Sequence, residues 1–408
     1  MTFNTRGPRR RPRYAKATPG EQGFGGQGRP TNFRRPARRI PQAFSDVSKF
    51  INKAVITEEV EVFVPEHSFS SFELHPLLKK NILAKGYENP TPIQDKAIPH
   101  VLRGEDIVGI ANTGTGKTAA FLIPLINKVL NNPNEKVLIV APVRELAVQI
   151  NEELKEFAKG SGLFSAILIG GANMGNQIRE LRHRSSFVIG TPGRIKDHID
   201  SGHLNLSGFK TVVLDEADRM LDMGFIGDMR LLMSQMAKDR HTLFFSATLS
   251  SEIEKLIHEF LREPVRISVK TQDTAKNVDQ DVIRIKGKTK FDVLKDLLIQ
   301  KEFSKTLIFS RTKHGADKLA KALTLAGIRA DAIHGNKQQS ARQRVLEDFK
   351  SERVKVLVAT DVAARGLDIL DISHVINYDL PATYEDYVHR IGRTGRAEKK
   401  GKALTFIE

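Results

Sequence analysis

From about residue 68 onward, short runs of β-branched and apolar residues alternate with longer amphipathic stretches. The first series is "KVLIVA" 136–141, "SAILIG" 165–170, "SFVIG" 186–190, "TVVLD" 211–215 and "TLFFSA" 242–247. The second is "KTLIFS" 305–310, "RADAIHG" 329–335, "KVLVAT" 355–360, "HVINY" 374–378 and "KALTFI" 402–407. Such runs are apolar on both faces, as strands must be when helices cover both sides of a parallel sheet. Residues 313–326 and 340–350, and "AAFLIPLINKVL" 119–130, read as helices. Two series predict an α/β protein with two doubly wound parallel-sheet domains, at 68–268 and 281–408. Residues 264–280 carry charge and few large apolar groups and suit a connection, so the linker is drawn at 269–280. Residues 43–67, with "FINKAV" followed by the alternating "EEVEVFVPEH", read as a short strand or extended linker. Ligands of doubly wound folds sit at the carboxyl ends of strands, so the loops after these runs are where chemistry is expected.

Composition changes the picture at the N-terminus. The chain of 408 residues carries a formal charge of +16. Residues 1–42 hold 11 Arg or Lys against the single acid Glu21, with six Pro, six Gly and the spaced aromatics Phe3, Tyr14, Phe24 and Phe33. That composition cannot bury enough surface to offset chain entropy, so a disordered basic arm is expected. Its charge and aromatics suit sequence-blind binding to RNA; a solubilising tail or targeting signal is the alternative. There are no cysteines, which excludes disulfides, thiolate catalysis and cysteine-ligated zinc. No apolar run is long enough for a membrane span and no secretory signal is present. A cytoplasmic protein without membrane partners, expected to be a monomer, is the plain reading.

"GIANTGTGKT" 109–118 lies between an apolar run and a helical stretch. Its loop, Ala111, Asn112, Thr113, Gly114, Thr115 and Gly116, is suited to cradle phosphates with backbone N–H groups at a helix N-terminus. Lys117 is expected to reach the β- and γ-phosphates and Thr118 the Mg²⁺. The strict P-loop pattern has Gly where this chain has Ala111. "TVVLDEADRML" 211–221 then puts Asp215, Glu216 and Asp218 at the end of an apolar strand. Alone, an acid at a helix start is an ordinary cap. Beside a P-loop, Asp215 is the expected magnesium ligand and Glu216 the group that orients and deprotonates the attacking water.

With Asp215-Glu216-Ala217-Asp218 spelling D-E-A-D, residues 68–408 resemble the DEAD-box ATP-dependent RNA helicases in their bacterial-type minimal form. The resemblance implies two tandem RecA-like domains, the cofactors ATP and Mg²⁺, and RNA as partner through largely sequence-independent contacts. "GYENPTPIQ" 86–94 resembles the family's adenine-reading motif, with Gln94 on the base and Phe69, 17 residues before Gly86, stacked against it. "APVRELAVQ" 141–149 resembles an RNA-contact motif that keeps Arg144 but has Val143 where the family has Thr. Gly170-Gly171 and "TPGR" 191–194 match two more such motifs. There Gly171 allows close phosphate approach, Thr191 donates a hydrogen bond and Arg194 supplies charge. "SAT" 246–248 implies that the Ser246 and Thr248 hydroxyls bond Asp218 and couple the nucleotide site to RNA. In the second domain the resemblance assigns RNA contacts to Arg311 of "IFSRTK", to Gln339 and Arg342 of "QSAR", and to Thr360 and Gly366 of "ATDVAARGLD". The last motif also contains Arg365, and its Asp368 belongs to the nucleotide site. In "HRIGRTGRA" 389–397, Arg390, Arg393 and Arg396 recur every three residues and repel unless an anion sits among them. Arg393 and Arg396 are the implied arginine fingers, and His389 an interdomain coupler.

The implied activity is an RNA-dependent ATPase that locally opens short duplexes or remodels RNA–protein complexes by closing two domains. A DNA translocase of the same superfamily and a non-catalytic RNA clamp remain as rivals. The chain stops at "KALTFIE", so no C-terminal extension is expected to name a particular RNA.

Overall fold

Seven parallel strands make up the first sheet: β1 Ile107–Ile110, β2 Val137–Val140, β3 Ser165–Leu168, β4 Phe187–Gly190, β5 Thr211–Leu214, β6 His241–Ser246 and β7 Val265–Ser268, in the order β3-β4-β2-β5-β6-β1-β7. Six more form the second: β8 Val278–Arg284, β9 Thr306–Phe309, β10 Ala330–Ile333, β11 Val356–Ala359, β12 His374–Asn377 and β13 Gly401–Ile407, in the order β10-β11-β9-β12-β13-β8. These counts are of the described residues. The computed structural model describes residues 63–112, 114–269, 278–285, 287–364, 369, 371–395 and 401–407. The basic arm, residues 43–62, Thr113, Arg365, Gly366, Asp368 and Arg396 lie outside them.

Fourteen helices are described: α1 Pro76–Ala84, α2 Pro92–Leu102, α3 Lys117–Asn131, α4 Arg144–Phe157, α5 Met174–Arg182, α6 Pro192–Asp200, α7 Ala217–Asp222, α8 Ile226–Ser234, α9 Ser251–Phe260, α10 Lys290–Leu298, α11 Lys313–Leu325, α12 Gln339–Lys350, α13 Asp361–Ala364 and α14 Tyr384–Ile391. The two faces of the first sheet pack separate cores, one holding Phe121, Ile139 and Phe245, the other Leu138, Leu214 and Phe244. β2, β4, β5 and β6 are buried at every position, which is why their centres are apolar runs.

The connection between the domains is shorter than its composition suggests. β7 takes 265–268 and β8 begins at 278, and each closes the edge of a sheet. Edge strands have one open side, so β7 exposes Arg266 and Ser268, and β8 exposes Asp279 and Asp281. Polarity there records an edge, not a loop. Residues 63–67 form no strand. Glu66 N and His67 N instead donate to the Asp95 carboxylate of α2 at 2.9 and 3.1 Å.

The register fixes where the chemistry lies. Ile110 pairs with Ser246, and Leu214 with Phe244, across neighbouring strands. The loops after β1, β5 and β6 therefore leave one edge of the sheet together. They carry the P-loop, the three carboxylates and Ser246-Ala247-Thr248.

Candidate nucleotide site and nucleic-acid face

The loop between β1 and α3 turns on Gly114 and Gly116, at φ +85° and +93°, a left-handed region that glycine enters without strain. A Cβ on Gly116 would lie 2.4 Å from Gln94 Nε2, so this position also needs glycine for space. Ala111, where the strict pattern has Gly, is 2 % exposed and donates its N–H to Ser246 O at 3.0 Å. Its methyl belongs to the core. Thr115 Oγ1 donates to Asn112 O at 2.9 Å, and Lys117 Nζ to Ala111 O at 2.8 Å. Lys117 is buried, yet its one described hydrogen bond is to a neutral carbonyl. Thr118 is the second residue of α3, at the end where unpaired N–H groups and the dipole favour an anion.

Asp215 follows β5 and is 2 % exposed. Burial pushes its carboxyl up to about 6, against the opposing charge of Lys117 and helped by Glu216 and Asp218. A buried carboxylate crowded by like charges fits a divalent cation. Among the described residues no group of three or more His, Asp or Glu is arranged to hold a metal by itself. Glu216 is a non-glycine residue at φ 51°, ψ 51°, a conformation costing on the order of 1 kcal/mol. Its Oε2 accepts from Arg219 Nη1 at 2.8 Å.

Asp218 is the acceptor for the loop after β6. Its Oδ2 receives Ala247 N and Thr248 N at 3.0 Å each and Thr248 Oγ1 at 3.2 Å, while Oδ1 receives Arg219 N at 3.0 Å. Thr248 bonds as expected. Ser246 does not: its hydroxyl donates to Thr248 O at 2.7 Å. Backbone amides, not two hydroxyls, carry most of this junction.

The adenine motif is also engaged within the protein. Thr91 caps α2, Gln94 Oε1 accepts from Thr91 N at 2.9 Å, and Gln94 Nε2 donates to Gly116 O at 3.1 Å. The amide expected to read adenine thus closes the cap of α2 with its oxygen and braces the P-loop with its nitrogen. Phe69 presents no stacking face: it is 2 % exposed, edge-on to Phe72 and Tyr87 at 6.0 and 5.6 Å between centroids. Burial against two aromatic rings outweighs exposure of a free one.

Arg144, Gly170, Thr191, Arg194 and Arg342 line one cavity of about 250 Å³, together with Met223, Phe225 and Val362. Arg144 is less readily protonated than an ordinary arginine, through burial and the nearby charges of Arg342 and Arg194, with Glu145 opposing. Concentrated positive charge of this kind is what a phosphate chain meets favourably. Gly170-Gly171 serves Arg144 first. A Cβ on Gly171, at φ +77°, would sit 2.6 Å from Arg144 Nη1. The glycines admit an arginine, where a phosphate was expected. Arg194 approaches Asp197 at 3.3 Å, and Thr191 precedes α6 with no capping bond from its side chain.

Arg342, expected on RNA, donates Nε to Glu145 Oε1 at 2.6 Å, with both side chains nearly fully buried. This pair joins α4 of the first domain to α12 of the second. Gln339 stands apart from the arginine cavity, in a groove with Val148, Glu152 and Leu346, and its Oε1 is buried without a hydrogen-bond partner. Thr360 supplies its carbonyl to the start of α13, and the exposed Arg311 donates its backbone N–H to Asp379 at 2.8 Å.

The arginine motif divides. Arg390 donates Nε and Nη2 to Asp361 at 2.5 and 2.7 Å, and Nη1 to Asn377 Oδ1 at 3.1 Å and Asp379 O at 2.7 Å. The anion it needs is a carboxylate of its own domain. α14 ends at Ile391, so Arg393 lies beyond the helix and shares no helical face with Arg390. Arg393 and His389 line a small gap with Phe309 and Asp361. Glu145, Arg219 and Asp361 are the participants that sequence reasoning missed. Only Arg219, three residues from Glu216, left a local signal.

Residues 91–256 match the DEAD/DEAH box helicase family, and residues 289–398 the helicase conserved C-terminal domain. The ATP-dependent RNA helicase CshA of Limosilactobacillus reuteri is 44% identical over 83% of this chain and 69% of its own length. The chain belongs to the DEAD-box family. The CshA of Listeria monocytogenes is 45% identical over 83% of this chain and 66% of its own, so the DEAD-box chain described here spans about two thirds of these curated relatives. Saccharomyces cerevisiae Dbp5, solved bound to RNA and ADP BeF3, superimposes with a TM-score of 0.74 at 32% identity, over 84% of this chain and 89% of that one. The two parallel sheets are the RecA-like pair of that DEAD-box fold.

Proposed function

We propose that this protein is an RNA-dependent ATPase that locally unwinds short RNA duplexes or remodels RNA–protein complexes through ATP-driven closure of its two domains. The observation that carries the proposal is the buried Arg342–Glu145 pair beside an arginine-lined cavity drawing on both domains. Breaking such a pair leaves an uncompensated buried charge, so an arrangement that forms it is selected sharply over one that does not. Nucleotide at the P-loop and RNA along Arg144, Thr191 and Arg194 favour the same closed state, which couples their binding.

Lys117 and the N–H groups at the start of α3 hold the phosphates. Thr118 and Asp215 would hold magnesium, which would supply charge neutralisation to the phosphates when bound. Glu216 takes the proton of the attacking water. Arg393 and Arg396 approach the γ-phosphate, a contribution worth about 10³–10⁵ in rate in related phosphoryl transfers. Asp218 reports the state of the site to Thr248. The basic arm adds phosphate contacts without sequence preference, and the cytoplasm is the proposed place of action.

The test compares ATP turnover with RNA and with DNA of one sequence, for the wild type and Glu216→Gln. RNA stimulation that the substitution abolishes supports the reading. Stronger stimulation by DNA makes the protein a DNA translocase, and turnover unchanged by Glu216→Gln makes it a non-catalytic clamp.

A further inference from the structure

Arg219 is the third residue of α7, and nothing in the proposed mechanism uses it. It is 4 % exposed, and its Nη1 meets Glu216 Oε2 at 2.8 Å with Glu216 equally enclosed. An i,i+3 acid–base pair on a helix surface is a minor ornament. This pair is neither on the surface nor between idle groups, since its acid is the residue assigned to the attacking water.

Geometry gives the pair a task. Glu216 has left-handed backbone torsions, so its side chain leaves the chain in a direction ordinary helix packing does not set. Asp215 and Asp218 flank it with like charge, and Lys117 lies on the Asp215 side. A carboxylate so placed is pushed away from its neighbours and has two oxygens and three χ bonds with which to move. The guanidinium fixes one of those oxygens through a charge-assisted bond of short, directional type. Oε1 is left to receive a proton. Arg219 is itself anchored: its backbone N–H donates to Asp218 Oδ1 at 3.0 Å, and the other oxygen of Asp218 holds Ala247 and Thr248.

We infer that Arg219 is a positioning residue for Glu216, pinning one carboxylate oxygen so that the other is presented to the attacking water in a fixed direction. The inference rests on Glu216 acting on that water. It also links the coupling loop to the reacting groups, because Asp218 binds the backbone of Arg219 and the amides after β6 at once. Movement of that loop shifts the anchor of the arginine that aims Glu216.

The experiment measures RNA-stimulated ATP turnover, fluorescent nucleotide binding and thermal unfolding for Arg219→Gln, Arg219→Lys, Glu216→Gln and the double variant Glu216→Gln/Arg219→Gln. Misdirection of a reacting group by about 1 Å costs up to about a hundredfold, and the expected fall in kcat for Arg219→Gln is about tenfold or more. KM for ATP and the RNA concentration for half-stimulation are expected to stay within about twofold. Arg219→Lys keeps the charge but not the planar fork, and recovers part of the rate. In the Glu216→Gln background, Arg219→Gln changes the residual rate by less than about twofold, because an arginine acting only through Glu216 has nothing left to aim. Equal proportional losses in both backgrounds, or a loss that follows KM and not kcat, would overturn the inference. If Arg219→Gln does not fold, Arg219→Lys decides through the same kcat-against-KM division. Glu216→Gln with wild-type turnover would sink the underlying reading instead, and wild-type turnover of both Arg219 variants beside an inactive Glu216→Gln would sink this one alone.

Discussion

Lys117 and Arg390 are both buried cations at the head of a parallel sheet, one in each domain, and their surroundings are opposite. Arg390 is saturated: a carboxylate takes two of its nitrogens, an amide and a carbonyl share a third, and its guanidinium lies 5.0 Å from the centre of the Phe309 ring. Lys117 donates its one described bond to the carbonyl of Ala111. A cation whose partners are complete builds the fold. A cation buried beside a neutral acceptor is poised for an anion that arrives from outside.

The largest effects test that contrast directly. Lys117→Ala is expected to cut ATP turnover by about 10²–10³-fold or more while the unfolding midpoint stays close to wild type. Arg390→Ala leaves Asp361 without its partner, and is expected to destabilise the protein by about 3–5 kcal/mol, seen as a lowered midpoint before any assay of activity. Calorimetry beside an ATPase assay distinguishes them. A folded, inactive Arg390→Ala with an unstable Lys117→Ala would reverse the assignment of the two cations.

Asp215 sharpens the comparison from the anionic side. Its carboxyl is held near 6, above the ordinary 3.8, by burial. Below both values the group is protonated in the folded and unfolded chain and contributes nothing. As pH rises from about 4 to about 6 the unfolded chain loses the proton first, so stability falls, and above about 6 the full penalty remains. Asp215→Asn is therefore expected to stabilise the nucleotide-free protein at pH 7.5 by on the order of 2–3 kcal/mol, and to leave it unchanged near pH 3.5. Urea unfolding at the two pH values measures this; a gain of equal size at both would assign the effect to packing. Turnover with ATP and magnesium is expected to be lost in the same variant.

Asp218 comes next in size. Asp218→Ala removes the acceptor of Ala247 N, Thr248 N and Thr248 Oγ1. The expected result is nucleotide affinity within about threefold of wild type, with duplex unwinding per ATP hydrolysed reduced about tenfold, since the loop no longer follows the site. Unwinding and hydrolysis that fall together with stability would make this carboxylate a structural acceptor only.

What the sequence exposed, and what it hid, follows from how local each feature is. β2, β5 and β6 are legible because burial on both faces leaves their centres apolar, with polar residues only toward the ends. β7 and β8 are not, because an edge strand reads like a charged connection. The P-loop and the carboxylate run are contiguous, so their chemistry is written in consecutive residues. The Arg342–Glu145 pair spans 197 positions, and no periodicity announces a partner so remote. The Ser246 hydroxyl turns from Asp218 for a different reason. Two backbone N–H groups and the Thr248 hydroxyl already crowd Asp218 Oδ2, and the nearby Thr248 carbonyl gives the serine hydroxyl a closer acceptor.

The smallest effect concerns Val143. Val143 is the N-cap of α4, extended at φ −132°, ψ 153°, and it provides no side-chain bond to the open N–H groups of that helix. Threonine, which the family resemblance places here, has a hydroxyl able to accept from the N–H of Glu145 or Leu146. Capping gains of about 0.5–1 kcal/mol are usual, and Val143 is buried enough that a hydroxyl left unbonded would cost a comparable amount. The sign of the stability change therefore reports whether the cap forms. Val143→Thr is expected to raise the unfolding midpoint slightly without RNA, and to lower the RNA concentration for half-stimulation by less than about threefold, the size of one neutral hydrogen bond. Stability that rises while RNA dependence stays fixed would mean that the hydroxyl serves α4 and that Arg144 makes its phosphate contact without it. Weaker binding of RNA would mean that the cap turns the hydroxyl away from the cavity, and that valine leaves Arg144 the freer of the two neighbours.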